Sequence, residues 1–88
     1  MKVKKGCFLT RVGKKAVVAG DVQKNGNDVY LELNATAADV WECVEKGKTL
    51  PEIGAFLAEK YEVTAEQAER DAKIVIDRFV AAGYMEND

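Results

Sequence analysis

The chain contains no histidine and no serine among its 88 residues. The missing imidazole removes the commonest general base near neutral pH and the commonest zinc ligand. Neither a Ser–His nor a Cys–His dyad can be assembled. Cysteine is scarce: Cys7 and Cys43 stand alone, far apart and outside any CxxC motif. With no secretory signal, two free thiols in a reducing cytosol are expected. The seven glycines are scattered as turns and caps and form no phosphate-cradling loop. No apolar run nears the roughly 18 residues that a membrane span needs. The lysine-rich start, residues 1–6, has no apolar stretch behind it and is not a signal peptide. There is no internal repeat, low-complexity tract or linker. One cytoplasmic domain covering residues 1–88 is expected, with no cofactor and no metal.

What is present is ordinary for a globular protein: 48% hydrophobic and 32% charged residues, with a net charge of -2. A mildly acidic chain argues against nucleic-acid binding, where phosphate contacts demand a basic excess. Carboxylates are plentiful, among them Asp39, Glu42, Glu52, Glu66 and Asp77. Most fall on predicted outward helix faces, so solvated charge is the reading preferred over acid–base catalysis. Lys2, Lys4, Lys5, Lys14, Lys15 and Lys24 crowd the first third. They read either as an electropositive patch or as edge-strand lysines that block aggregation.

The first third reads as β. Residues 7–12 are rich in strand formers, Gly13 and Lys14 make a turn, and residues 15–19 return as a second strand. Residues 20–27 carry Gly20, Asp21, Asn25, Gly26 and Asn27 and read as a loop or turn. Residues 28–33 then alternate, with Val29, Leu31 and Leu33 on one face and Asp28, Tyr30 and Glu32 on the other.

Asn34 is placed to cap a first helix whose stripe is Ala37, Val40, Trp41 and Val44, ended by Gly47. Thr49 to Glu52 is a capping box with Pro51 in the first turn, and Ile53, Leu57 and Tyr61 form that helix's core face. Thr64 to Gln67 reads as a second capping box, followed by the stripe Ala68, Ala72, Val75, Phe79 and Ala82 and a stop at Gly83. Tyr84 and Met85 read as a short return segment on the core. Strands first and helices after give an α+β fold, a three-stranded antiparallel sheet followed by three helices (βββααα). Two short helices and a longer one, with hairpins to supply a wing, suggest a winged helix-turn-helix.

Several residues admit two readings. Trp41 is a core anchor or a binding platform, with the core preferred. Phe56 sits beside its helix's apolar stripe, as core flank or as a contact. Ile76 and Val80 widen the last helix's apolar face next to Glu69 and Lys73. They read as a broad core face or as a groove wall beside the sheet. The strand at residues 28–33 ends a meander and lies on an edge. Its free N–H and C=O groups suit strand addition by an extended peptide, unless dimerisation or the chain itself closes it.

The run Leu33-Asn34-Ala35-Thr36-Ala37-Ala38-Asp39-Val40-Trp41, then Gly47-Lys48-Thr49, Glu52-Ile53, Leu57, Tyr61, Arg70-Asp71 and Gly83-Tyr84, resembles the PqqD family, pyrroloquinoline quinone biosynthesis protein D. The resemblance covers about residues 5–86. Lys73 and Tyr84 depart from it, standing where that family commonly has apolar residues. The resemblance implies a winged helix-turn-helix that recognises ribosomally synthesised, post-translationally modified peptides. Such a domain binds the leader of a precursor peptide and presents the rest to a modifying enzyme, often a radical S-adenosylmethionine protein. The leader would add to the strand of Asp28, Val29, Tyr30, Leu31, Glu32 and Leu33 and lie against the third helix, with Glu69, Lys73, Ile76 and Val80 supplying pockets and charge. The expected protein is thus a non-enzymatic peptide chaperone. Two alternatives are a winged-helix DNA-binding regulator and a structural homodimerisation module. The first is disfavoured because residues 64–83 carry four acids (Glu66, Glu69, Asp71, Asp77) against three bases (Arg70, Lys73, Arg78).

Overall fold

The computed structural model describes the backbone of residues 1–24 and 27–86 and the side chains of residues 1–20 and 31–86. Its elements are β1 (Lys2–Val3), β2 (Phe8–Val12), β3 (Lys15–Lys24), β4 (Asn27–Leu33), α1 (Ala35–Glu45), α2 (Leu50–Tyr61), α3 (Ala65–Ala81) and β5 (Met85–Glu86). Strands β2, β3 and β4 form an antiparallel sheet in that order, which leaves β4 on an edge. Three helices follow, so the α+β architecture is as expected.

Strand β3 runs further than the sequence suggests. Residues 20–24, read as loop, continue it, and Asn27 already belongs to β4; Asn25 and Gly26 lie outside the described residues. The pairing is in register from Ala16↔Leu33 to Ala19↔Tyr30, shifts, and resumes at Gln23↔Asp28. Such an irregularity bends a strand without ending it. Gly20 stands at the shift because the backbone of Cys7 lies against it: a Cβ there would meet the Cys7 Cα at 2.8 Å and its Sγ at 2.7 Å. Turn-forming residue types thus mark a close approach inside a strand.

Each helix starts where its cap places it. The Asn34 side chain accepts from the Ala37 N–H at 2.9 Å. Thr49 accepts from Glu52 N–H while the Glu52 carboxylate accepts from Thr49 N–H, a complete capping box. Thr64 accepts from Gln67 N–H, but the expected second box is not closed. The Gln67 amide instead donates to Asp71 at 3.4 Å.

The core lies between the sheet and the helices, its largest fully buried side chains including Trp41, Tyr84, Phe79, Ile53 and Leu57. Each such burial contributes roughly 1.5–3 kcal/mol. Trp41 is a core anchor. Its ring meets Phe79 edge-on at 5.2 Å and Tyr84 at 6.2 Å, joining α1 to α3 and to the return segment. Tyr84 and Met85 pack on the core as expected, and β5 pairs with β1, with Lys4 N–H donating to the Tyr84 carbonyl at 2.9 Å. No pattern in the first six residues announced this pairing. Phe56 is 40% exposed, with the Lys60 ammonium 5.9 Å from its ring. Cys7 and Cys43 are not joined in a disulfide.

Two residues depart from their expected surroundings. Tyr61, read as core face, is exposed, and its hydroxyl donates to Asp39. Asp39, read with the solvated carboxylates, is only 4% exposed. It accepts from Arg11 of β2 at 2.9 Å and from Lys60 of α2 at 2.8 Å, as well as from Tyr61. Arg11 also bonds Glu42. A buried carboxylate is tolerated because every donor aimed at it is charged or strongly polar. Burial alone would raise the Asp39 pKa, but the bonds from Lys60, Tyr61 and Arg11 outweigh it and hold the group below the usual carboxylate range.

A depressed carboxylate pKa stabilises the fold above the unfolded value of about 3.9, and that contribution disappears as pH falls through the folded value. Asp39→Asn is therefore expected to lose roughly 2 kcal/mol at pH 7. Urea denaturation of both proteins should show the difference narrowing as pH drops below about 4. A second test concerns Gly54, where α2 crosses α3 so closely that a Cβ would sit 2.9 Å from Glu69 Cβ and 3.1 Å from its Cα. Alanine is the better helix former by about 1 kcal/mol. Gly54→Ala should nonetheless destabilise by on the order of 1 kcal/mol, since the added methyl meets backbone; a rise in the urea midpoint would contradict the close crossing.

Candidate functional site

Helix α3 carries two adjacent stripes. Ala68, Ala72, Ile76 and Phe79 are buried in the core. Asp71, Ile74, Val75 and Arg78, with Ala82 just past the helix end, line a groove of about 520 Å3 that Phe79 also borders. Leu31, Glu32 and Leu33 of β4 form the facing wall, and Asn34, Thr36 and Ala37 at the start of α1 close one end. Among the described residues no Cα of α3 comes within 8 Å of a Cα of β4. The sheet edge and the helix therefore stand apart, with room between them.

The groove forms because β4 runs straight into α1 at the Asn34 cap, while α3 is held elsewhere. The Trp41–Phe79 contact and the close α2–α3 crossing at Gly54 locate α3 against the other helices. The lining is mostly apolar: Leu31 is half-buried, Leu33 buried, and Ile74 50% exposed. Charge sits at separate points, on Glu32, Asp71 and Arg78. Glu32 pairs with Lys15 at 2.9 Å. A shallower depression lined by Lys14, Lys15 and the same Glu32, Leu33 and Asn34 adjoins it past the strand end.

Of the residues singled out in the sequence, Leu31, Glu32 and Leu33 line this groove. Asp28, Val29 and Tyr30 lie on the same edge strand, their side chains outside the described residues. The helix residues are placed differently. Ile76 is 3% exposed and belongs to the core, and Val80 is half-buried against it. Glu69 and Lys73 face another depression, with Leu50, Glu66 and Arg70. Lys73 is also engaged with Asp77 at 3.3 Å. The groove is thus lined by the strand singled out in the sequence and by α3, but by a different face of α3 from Glu69, Lys73 and Ile76. Val75 and Ala82 of the expected core stripe are half-buried against the core and line the groove as well. Ile74 carried the signal: an aliphatic residue off that stripe, between Lys73 and Val75, has no core reason to be apolar.

An edge strand beside an apolar trough offers backbone donors and acceptors together with a place for alternate side chains, as an extended chain requires. Among the described residues no cluster of three or more His, Cys, Asp or Glu could hold a metal ion. No described helix is long and apolar enough to cross a membrane.

Known proteins with this fold carry the same arrangement of elements. The structure of TbiB1 in complex with the TbiA(beta) leader peptide superposes with a TM-score of 0.77 at 22% identity, over 98% of this chain and 100% of that one. A lasso peptide synthetase B1 complexed with its leader peptide gives a TM-score of 0.81 at 22% identity, over 98% and 96% of the two chains. No curated protein matches the sequence. The family model for coenzyme PQQ synthesis protein D matches residues 16–85, from the second strand of the sheet through the return segment. This chain belongs to the PqqD family.

Proposed function

We propose that this protein is a non-catalytic adaptor that binds the leader segment of a ribosomally made precursor peptide and holds it for a modifying enzyme. One observation carries the reading: the edge of β4, unpaired among the described residues, faces a mostly apolar groove of about 520 Å3 whose other wall is α3. A leader segment would enter as a fourth strand. Main-chain hydrogen bonds along residues 28–33 would contribute roughly 0.5–1.5 kcal/mol each, and alternate side chains would bury themselves against Leu31, Leu33, Ile74 and Val75. The two solved structures compared above are complexes with leader peptides.

The absence of histidine and serine fits a protein that positions a substrate without reacting with it. The chemistry would fall to a partner enzyme, with radical S-adenosylmethionine proteins as the first candidates, acting in the cytoplasm where the precursor is made. The DNA-binding alternative is weaker, because α3 presents more acids than bases and turns two of its faces to the core and the groove. A homodimer closed across β4 would use the same edge and compete with the peptide.

The test is a 15N-HSQC titration with the leader of the precursor encoded beside this gene. Shifts should concentrate on residues 28–37 and on 71–82 of the α3 face. Ile74→Glu, at a half-exposed site that the fold tolerates, should weaken binding at least tenfold, about 1.4 kcal/mol. Unchanged affinity in that variant, or shifts confined to α2, would remove the groove from the account. A mass that rises with concentration and falls as peptide is added would identify the competing dimer.

A further inference from the structure

The charges on α3 are not treated alike. On the faces away from the groove both bases are paired: Arg70 with Glu66 at 3.8 Å and Lys73 with Asp77 at 3.3 Å, each one turn apart. On the groove face Arg78 has no ion pair among the described residues. Asp71, seven residues before it, receives among the described residues only the long 3.4 Å bond from the Gln67 amide. Two helical turns separate the pair by about 10 Å, too far for them to satisfy each other. Ile74 and Val75 fill the interval with apolar surface. The facing wall offers Arg78 little: Glu32, the only acidic residue there among those described, is held by Lys15 at 2.9 Å.

Resting on the peptide-binding reading above, we propose that Asp71 and Arg78 set the specificity of the groove for an extended peptide with three alternate residues: a base, an apolar anchor and an acid. Alternate side chains of a strand share one face, and the first and third of three such positions stand about 13 Å apart. That matches the roughly 10 Å between the two charges once the reach of a long side chain is included. The apolar residue settles over Ile74 and Val75. The acid meets the Arg78 guanidinium, whose planar fork suits a carboxylate. The base meets Asp71. The apolar anchor supplies most of the affinity, whereas the charges select which peptides are accepted and in which direction, since reversing the chain exchanges the two ends.

Selection of random dodecapeptides by display on four purified proteins tests this: wild type, Arg78→Glu, Asp71→Lys and Ile74→Glu, each checked for folding by circular dichroism. Peptides recovered on wild type should carry an aliphatic or aromatic residue with Asp or Glu two positions to one side and Lys or Arg two positions to the other. On Arg78→Glu the acidic position should become basic with the apolar anchor kept, and wild-type peptides should bind this variant roughly tenfold more weakly. Asp71→Lys should convert the other end. Apolar anchors without charge preferences, or preferences that survive both reversals, overturn the charge-reading proposal and leave the groove standing. If Ile74→Glu recovers the same peptides as wild type, or wild type recovers none, the groove reading falls and this proposal falls with it.

Discussion

The contact between Trp41 and Phe79 locates everything that makes the groove. It joins the middle of α1 to the last turns of α3, and Tyr84 completes the cluster from the return segment. With all three rings fully buried, α3 cannot turn about its axis without exposing an aromatic side chain. Its core stripe is thereby assigned, and the stripe beside it must face the space next to β4. The indole N–H of Trp41 is buried without a hydrogen-bond partner among the described residues. A cost of roughly 1–3 kcal/mol for such a group is accepted here by a core that gains more from the ring's apolar faces.

The polar contacts complement this cluster at the other side of α1. Asp39 ties α1 to β2 through Arg11 and to α2 through Lys60 and Tyr61. Gly54 brings α2 against α3. These attachments draw the helices toward one another and toward the first strand of the sheet. Among the described residues nothing comparable draws α3 toward β4, and the sheet edge nearest the third helix keeps its backbone groups available. The open edge and the apolar trough are two results of one packing arrangement, and both are what a strand-adding peptide needs.

Much of the fold was legible because it is written in local chemistry. Asn34, Thr49 and Thr64 start the helices they announce, since a capping side chain acts on N–H groups two or three residues away. The alternation at residues 28–33 located an edge strand, and the spacing around Trp41 located a core helix. The misreadings have a shared cause. Gly20 looked like a turn but answers to Cys7, far from it in the chain. Asp39 looked solvated but answers to Arg11 and Lys60, 28 and 21 residues away. The β1–β5 pairing joins the two ends of the described chain and leaves no mark in either segment's local pattern.

By itself the sequence determined the order of elements, the caps, the apolar periodicity, the lack of histidine and serine and, through its matching motifs, the family. Those properties depend on residues within a turn or two of each other, or on residues being absent. Only the tertiary structure decided which face of α3 meets the groove. Ile74 stands off the core stripe in the sequence, but no local rule says that the face it lies on would be set against β4. The choice follows from where Phe79 packs on Trp41, a contact spanning 38 residues of sequence that sets the rotation of the whole helix. The same long-range packing left Arg78 beside an apolar trough while its neighbours on other faces found partners within one turn.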